Sequence, residues 1–293
     1  MAVNEYEGPT MPRQNWETRG RSFGSAADAY DSTRPGYPVD AVRWILGDEP
    51  RCVVELGAGT GILTRKLIAC GHEVVAVEPD QAMLARLTDT TPGVTALVGR
   101  AESIPVPDAS ADAVLVGHAY HWFRPEPAHA EMARVLRPRG VLAALWNLRD
   151  ESVPWSAELS AILTDEDRGV DRESPAAVML HGALAALRGT GDANMSGWLK
   201  SPSFGAEFGA IERNFFPHSV THTAETLVEL VQSRSYYLTA APQRQAELSG
   251  QVRRLALTHP DLVGREAFEM PYVTVVFRAI RMSPRMDTLT AGR

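Results

Sequence analysis

Between residues 52 and 146 the chain alternates short apolar runs with stretches whose apolar positions recur at helical spacing. The runs at 52–56, 73–77, 94–98, 113–117 and 141–146 read as strands. The stretches at 61–70, 81–88 and 128–136 repeat apolar residues every three or four positions and read as helices. Such alternation specifies an α/β fold, a parallel sheet with helices on both faces. Upstream, Ser25 offers a helix cap, Arg34-Pro35-Gly36-Tyr37-Pro38 enforces a break, and a second helix covers 39–46. Residues 1 to about 22 mix polar residues, Gly and Pro without periodicity, the pattern of a disordered leader. Past Asn147 the pattern loosens into helical stretches at 155–163, 176–187, 224–238 and 241–257, with strands at 211–216 and 272–278.

The first strand runs into Glu55-Leu56-Gly57-Ala58-Gly59-Thr60-Gly61. Three glycines let the backbone turn sharply and bring N–H groups up to a ligand with no Cβ in the way. The second strand ends in Glu78, about 20 residues beyond the first glycine, where an acid would hold a ribose diol. Pro79 follows it at a favoured first-turn position, so Glu78 also reads as a helix cap. A dinucleotide site wants GxGxxG, whereas these glycines fall as GxGxG. Glu55, at the mouth of the turn, would repel a pyrophosphate but accept from an ammonium group, directly or through water. Spacing and charge together favour S-adenosylmethionine over NAD.

With these residues, and with the blocks Ala101-Glu102-Ser103-Ile104-Pro105, Ser110-Ala111-Asp112-Ala113-Val114, His121-Trp122-Phe123 and Glu131-Met132-Ala133-Arg134-Val135-Leu136-Arg137-Pro138, the chain resembles the class I S-adenosylmethionine-dependent methyltransferases. The resemblance covers roughly residues 20 to 150. It implies a Rossmann-like sheet of seven mostly parallel strands, the last antiparallel, with a helical cap built by an N-terminal lid and late insertions. On that pattern residues 23–150 hold lid and cofactor core, and 151–293 hold the last two strands and cap insertions at about 155–205 and 223–260. The resemblance also implies S-adenosylmethionine as cofactor and S-adenosylhomocysteine as product. Their site would be the loop of Glu55, Gly57, Ala58, Gly59 and Gly61, with Glu78 and Pro79 at the ribose and Ala101 and Glu102 at the adenine. Two positions depart from the family: Arg100 stands where many relatives carry Asp, and Arg139 where Gly is common. In the cap, Ser233-Arg234-Ser235-Tyr236-Tyr237 and Pro271-Tyr272-Val273-Thr274 look like segments of the trans-aconitate methyltransferase-like branch, which hints at a small acidic or hydroxylated metabolite.

Composition narrows the partners. A chain of 293 residues, 44% hydrophobic and 22% charged, can bury a sizeable core. The formal net charge of −7 argues against a nucleic-acid partner, which needs a basic face. Cys52 and Cys70 make neither a disulfide framework nor a metal knuckle, and no apolar run is long enough to span a bilayer. A cytoplasmic monomer or homodimer acting on a small molecule, without membrane insertion, is the expectation.

Methyl transfer is an in-line displacement, so the protein must exclude water and align the reacting atoms. A hydroxyl acceptor needs a base, while a carboxylate needs none. His118 and His121, in the segment after the fourth strand, are the candidate bases; His121 also reads as a packed histidine bonding a backbone carbonyl. His118 lies near enough to the glycine loop to be a cofactor neighbour as well. Trp122 and Phe123 read as pocket wall, and the segment lacks the carboxylates a metal would need. The lid supplies Tyr30, Arg34 and Tyr37, with Arg34 suited to a carboxylate of cofactor or acceptor or else a surface arginine in a turn. Asn147, Arg149 and Tyr236 are further candidates for the acceptor side. The leading reading is O-methylation of a small molecule. Alternatives are C-methylation of a quinone or polyketide-like ring, a nicotinamide dehydrogenase, and a non-catalytic protein that binds the cofactor or its product.

Overall fold

The computed structural model describes residues 31–163, 175–187 and 203–283. Its strands are β1 (Cys52–Leu56), β2 (Glu73–Glu78), β3 (Thr95–Val98), β4 (Ala111–Gly117), β5 (Leu136–Arg149), β6 (Glu212–His222) and β7 (Phe268–Ile280). They form one seven-stranded sheet in the order β3-β2-β1-β4-β5-β7-β6. β1 pairs parallel with both β2 and β4, so the chain's crossovers diverge there and the glycine run opens at the topological switch point. β7 alone runs against its neighbours, pairing antiparallel with β5 and β6. The expected seven-stranded, mostly parallel sheet is therefore present.

The described helices are α1 (Val39–Leu46), α2 (Ile62–Ala69), α3 (Gln81–Thr90), α4 (Pro125–Val135), α5 (Pro154–Leu163), α6 (Pro175–Leu187), α7 (Ala224–Gln232), α8 (Ser235–Leu238) and α9 (Pro242–Thr258). Successive strand residues serve opposite faces, as the two-residue period requires. Val53, Leu115, Leu145 and Val276 pack with α1 and α2 through Ala41, Val42, Leu63 and Leu67. Val54, Val114, Ala144, Val275 and Phe277 pack on the other face with α4 and α6 through Met132, Val135, Met179 and Ala183.

A third core lies beyond the carboxyl edge of the sheet. Leu159 of α5, Leu227 and Val231 of α7, and Leu248, Val252 and Leu255 of α9 close over Phe268, Met270 and Tyr272 of β7. One strand thus serves two cores, its first half the helices and its second half the sheet. This explains where the strand expectations fall short. Apolar runs alone predict 141–146, 211–216 and 272–278, but β5 extends past its run at both ends, and β6 and β7 extend as an antiparallel ribbon whose outer residues alternate in exposure. α4 ends at Val135 with no loop before β5, and the helical stretch 224–238 divides after Gln232. Arg139 takes a left-handed backbone, φ 66°, which accounts for glycine's preference at that position. Among the described residues no helix is long and apolar enough to cross a membrane. The expected leader and Tyr30 lie outside the described residues.

Candidate functional site

The glycine run folds back over the second strand. Gly57 and Ala58 donate their N–H groups to the Val77 carbonyl at 2.9 and 3.2 Å, which requires a left-handed Gly57 at φ 66°. A Cβ at Gly59 would meet nothing within 4 Å, so the loop faces open space there. Its outer side is pinned by the lid: Asp31 Oδ1 accepts from Thr60 Oγ1 at 2.8 Å and from Arg65 Nη2 at 2.6 Å. Gly61, at φ 88°, caps the start of α2.

Two acids flank the loop. Glu55 is 1% exposed and its carboxyl oxygen accepts from Thr64 Oγ1 at 2.6 Å. Burial pushes its carboxyl up to about 8, against the pull of the Thr64 bond and with help from the neighbouring Glu78 charge. Glu78 is buried too, which raises it. Its two oxygens accept from Asp80 N–H at 3.0 Å and Gly59 N–H at 2.9 Å, bracing the loop against the start of α3. Pro79 is exposed.

Beside Glu55 lies a cleft of about 460 Å³ of empty space, part of it open to solvent. Of the residues expected in a site, it brings together Arg34, Tyr37, Glu55, Gly57, Ala58, Gly59 and His118. It adds Pro35, Thr60, Ile62, Leu63, Gly117 and Arg234, none of which sequence reasoning had placed there. Tyr37 lies so close over the end of β4 that a Cβ on Gly117 would stand 2.6 Å from its hydroxyl. Arg34 Nη2 donates to the Ser233 carbonyl at 3.3 Å, joining the lid to the C-terminal end of α7, where a cation is favoured. Arg234, the next residue, has no carboxylate partner among the described residues. The signal for it was the lone arginine in the run Ser233-Arg234-Ser235-Tyr236.

The two candidate bases differ in their partners. His118 Nε2 accepts from the Asn147 main-chain N–H at 2.8 Å. With that lone pair engaged, the contact fits a proton on Nδ1, and in that tautomer the ring presents a donor. Burial, then the charges of Arg234 and Arg34 and the neighbouring His121, hold His118 well below the usual histidine range. His121 does not line the cleft. Its Nδ1 is buried without a partner among the described residues, its ring lies 4.7 Å from Trp122, and burial lowers it to about 4.

Other candidates are engaged elsewhere. Asn147 spends its side-chain amide on the lid carbonyls of Pro35 and Gly36, so it does not reach into the cleft. Arg149 Nε donates to Ser160 Oγ at 2.8 Å, tying β5 to α5. Tyr236 is buried among the cap helices, and Phe123 packs edge-on to Tyr120 with ring centroids 6.2 Å apart. Glu102 accepts from the Arg124 N–H at 2.8 Å, holding the start of α4, and Ala101 is buried in the sheet core.

A family model described as a methyltransferase domain matches residues 54–144. An uncharacterized methyltransferase of Mycobacterium tuberculosis is 40% identical over 259 residues, 88% of this chain and 95% of that protein. An uncharacterized methyltransferase-like protein of Schizosaccharomyces pombe is 31% identical over 263 residues, 88% of this chain and 94% of that one. The fold is also that of a Haemonchus contortus phosphoethanolamine N-methyltransferase solved with phosphomonomethylethanolamine and S-adenosylhomocysteine. That likeness has a TM-score of 0.50 at 14% identity, over 93% of this chain and 61% of the other.

Proposed function

The chain belongs to the class I S-adenosylmethionine-dependent methyltransferases, and from that premise we propose that it binds S-adenosylmethionine in the cleft beside Glu55 and methylates an oxygen of a small acidic molecule. The observation that carries the acceptor class is the meeting of Arg34, Arg234 and His118 on the cleft that the glycine loop also lines. Guanidinium groups and an Nδ1–H suit carboxylates, and a carboxylate needs no base to take a methyl group.

The residues fit the cofactor. Glu55 is a buried acid with one hydrogen-bond donor, able to receive an ammonium group, and the space beyond Gly59 leaves room for a ligand against a loop whose Gly57, Ala58 and Gly59 N–H groups brace it from within. Glu78 keeps a second lone pair on each oxygen for ribose hydroxyls, and the Ala101 N–H serves the adenine in this reading. When bound, the cofactor supplies a methyl group on a positively charged sulfur. The chain's part is to hold that end against Gly57 and Ala58, exclude water beneath the Arg34–Tyr37 turn, and orient the acceptor carboxylate with Arg234 and His118. The net charge of −7 and two unpaired cysteines favour a cytoplasmic enzyme with no nucleic-acid partner.

The test is transfer of labelled methyl groups from S-adenosylmethionine to a panel of small mono-, di- and tricarboxylic acids. Label recovered as a base-labile methyl ester is expected. Base-stable label, as on a ring carbon, would overturn the carboxylate reading.

A further inference from the structure

Asn147 stands on β5 directly opposite Thr274 on β7, and both side chains are buried. Its amide is satisfied on both sides. Oδ1 accepts from Thr274 Oγ1 at 2.6 Å, while Nδ2 donates to Pro35 O at 3.2 Å and Gly36 O at 3.0 Å. The orientation has no alternative, because flipping the amide would set its oxygen against two carbonyl oxygens. The two carbonyls belong to the turn whose flanking residues, Arg34 and Tyr37, line the cleft. The main-chain N–H of the same residue donates to His118 Nε2 at 2.8 Å. His118 itself holds a left-handed backbone, φ 56°, anchored by its N–H to Leu145 O at 2.9 Å.

We propose that Asn147 is a positioning residue: it touches no ligand, but sets Arg34 and Tyr37 through the lid turn and fixes His118 as the Nδ1–H tautomer. The geometry stands by itself, and only its consequence for ligand binding rests on the function proposed above. Aspartate cannot replace it, since a carboxylate would face the carbonyls of Pro35 and Gly36. An apolar residue of similar size would leave the Pro35 carbonyl and the Thr274 hydroxyl without this partner and the Gly36 carbonyl with only the His218 ring nitrogen at 3.2 Å.

The first arm of the test needs no ligand. Imidazole ¹⁵N shifts of the wild-type protein, assigned by difference from His118→Gln, are expected to show His118 protonated on Nδ1 at neutral pH; an Nε2–H tautomer or an imidazolium overturns the proposal. Deuterium uptake by the peptide spanning the lid turn is expected to quicken at least tenfold in Asn147→Leu and to a lesser degree in Thr274→Val, which removes one methyl-sized donor and preserves packing. Unchanged uptake in a folded variant also overturns it. The second arm titrates S-adenosylhomocysteine. Asn147→Leu is expected to weaken binding tenfold or more, and to cause less than half that loss, on a logarithmic scale, when Arg34→Ala is already present. Full additivity would mean that Asn147 does not act through the lid. If the wild-type protein fails to bind S-adenosylhomocysteine, the cofactor reading is what fails, and the tautomer and exchange results still decide the role of Asn147.

Discussion

Gly57 lies so close to Ala119 that a Cβ on the glycine would stand 2.4 Å from the alanine methyl. The glycine loop and the segment after β4 therefore share one contact, and Gly57 must also hold φ 66°. Gly57→Ala is expected to weaken S-adenosylhomocysteine binding tenfold or more, and to destabilise the fold by about 1–3 kcal/mol. Adding Ala119→Gly relieves the clash but not the backbone strain, so calorimetric titration of the double variant should recover part of the affinity. No recovery would place the cause in the backbone alone.

In the proposed site Glu55 would link cofactor binding to protons. With its carboxyl raised to about 8 by burial, it is mostly protonated at pH 7, and a bound ammonium group would draw it into the charged form. Titrations with S-adenosylhomocysteine in buffers of different ionisation enthalpy should report up to one proton released per ligand at pH 7, and none for Glu55→Gln. The sign for stability follows from the same shift. Glu55's contribution is fully present below the ordinary carboxylate range and is lost as pH rises through about 8, so Glu55→Gln should flatten the ligand-free stability profile between the ordinary carboxylate range and about pH 8.

Arg234 separates acceptor from cofactor. Arg234→Met keeps the apolar stem and removes the charge. KM for a carboxylate acceptor should rise at least tenfold, about 1.4 kcal/mol, while S-adenosylhomocysteine affinity stays within about twofold. Equal loss of both would assign the guanidinium to the cofactor.

Tyr120 and His129 form a buried pair, hydroxyl to Nε2 at 2.6 Å. Burial lowers His129 to about 4, slightly opposed by Glu207, so its contribution is present above the ordinary histidine range and lost as pH falls through about 4. Tyr120→Phe leaves the imidazole nitrogen buried without its partner and should cost about 1–3 kcal/mol in urea unfolding at pH 7. Tyr120→Phe with His129→Leu should cost less than the two single changes summed, since neither partner is then left unsatisfied.

The proposed cofactor half of the site was legible in the chain because its signals are local. Glycines at 57, 59 and 61, an acid before them and an acid at the end of the next strand sit within one βαβ unit, and the sheet order follows from parallel crossovers. The proposed acceptor half was not, because its parts meet only through packing. Arg234 reaches the cleft from the end of a cap helix, and the strand extensions that carry the cap look like loops when read by apolar content. His118 and Asn147 were both noticed, but the donor that occupies His118 is a main-chain N–H, and a main-chain N–H has no signature in sequence.

The placement of β7 between β5 and β6 bears on how the molecule is made. As the chain leaves the ribosome, β6 emerges first and has no strand to pair with, because the only neighbour it contacts in the sheet has not yet been synthesised. The glycine loop, by contrast, has β1, β2 and β4 around it early. Thr274, which orients Asn147, and Phe268 and Met270, which close the cap core, all arrive with β7. A nascent chain can thus assemble its glycine loop while the far end of the sheet stays open, and the amide that holds the Pro35–Gly36 turn gains its Thr274 partner only when the last strand slides into the gap.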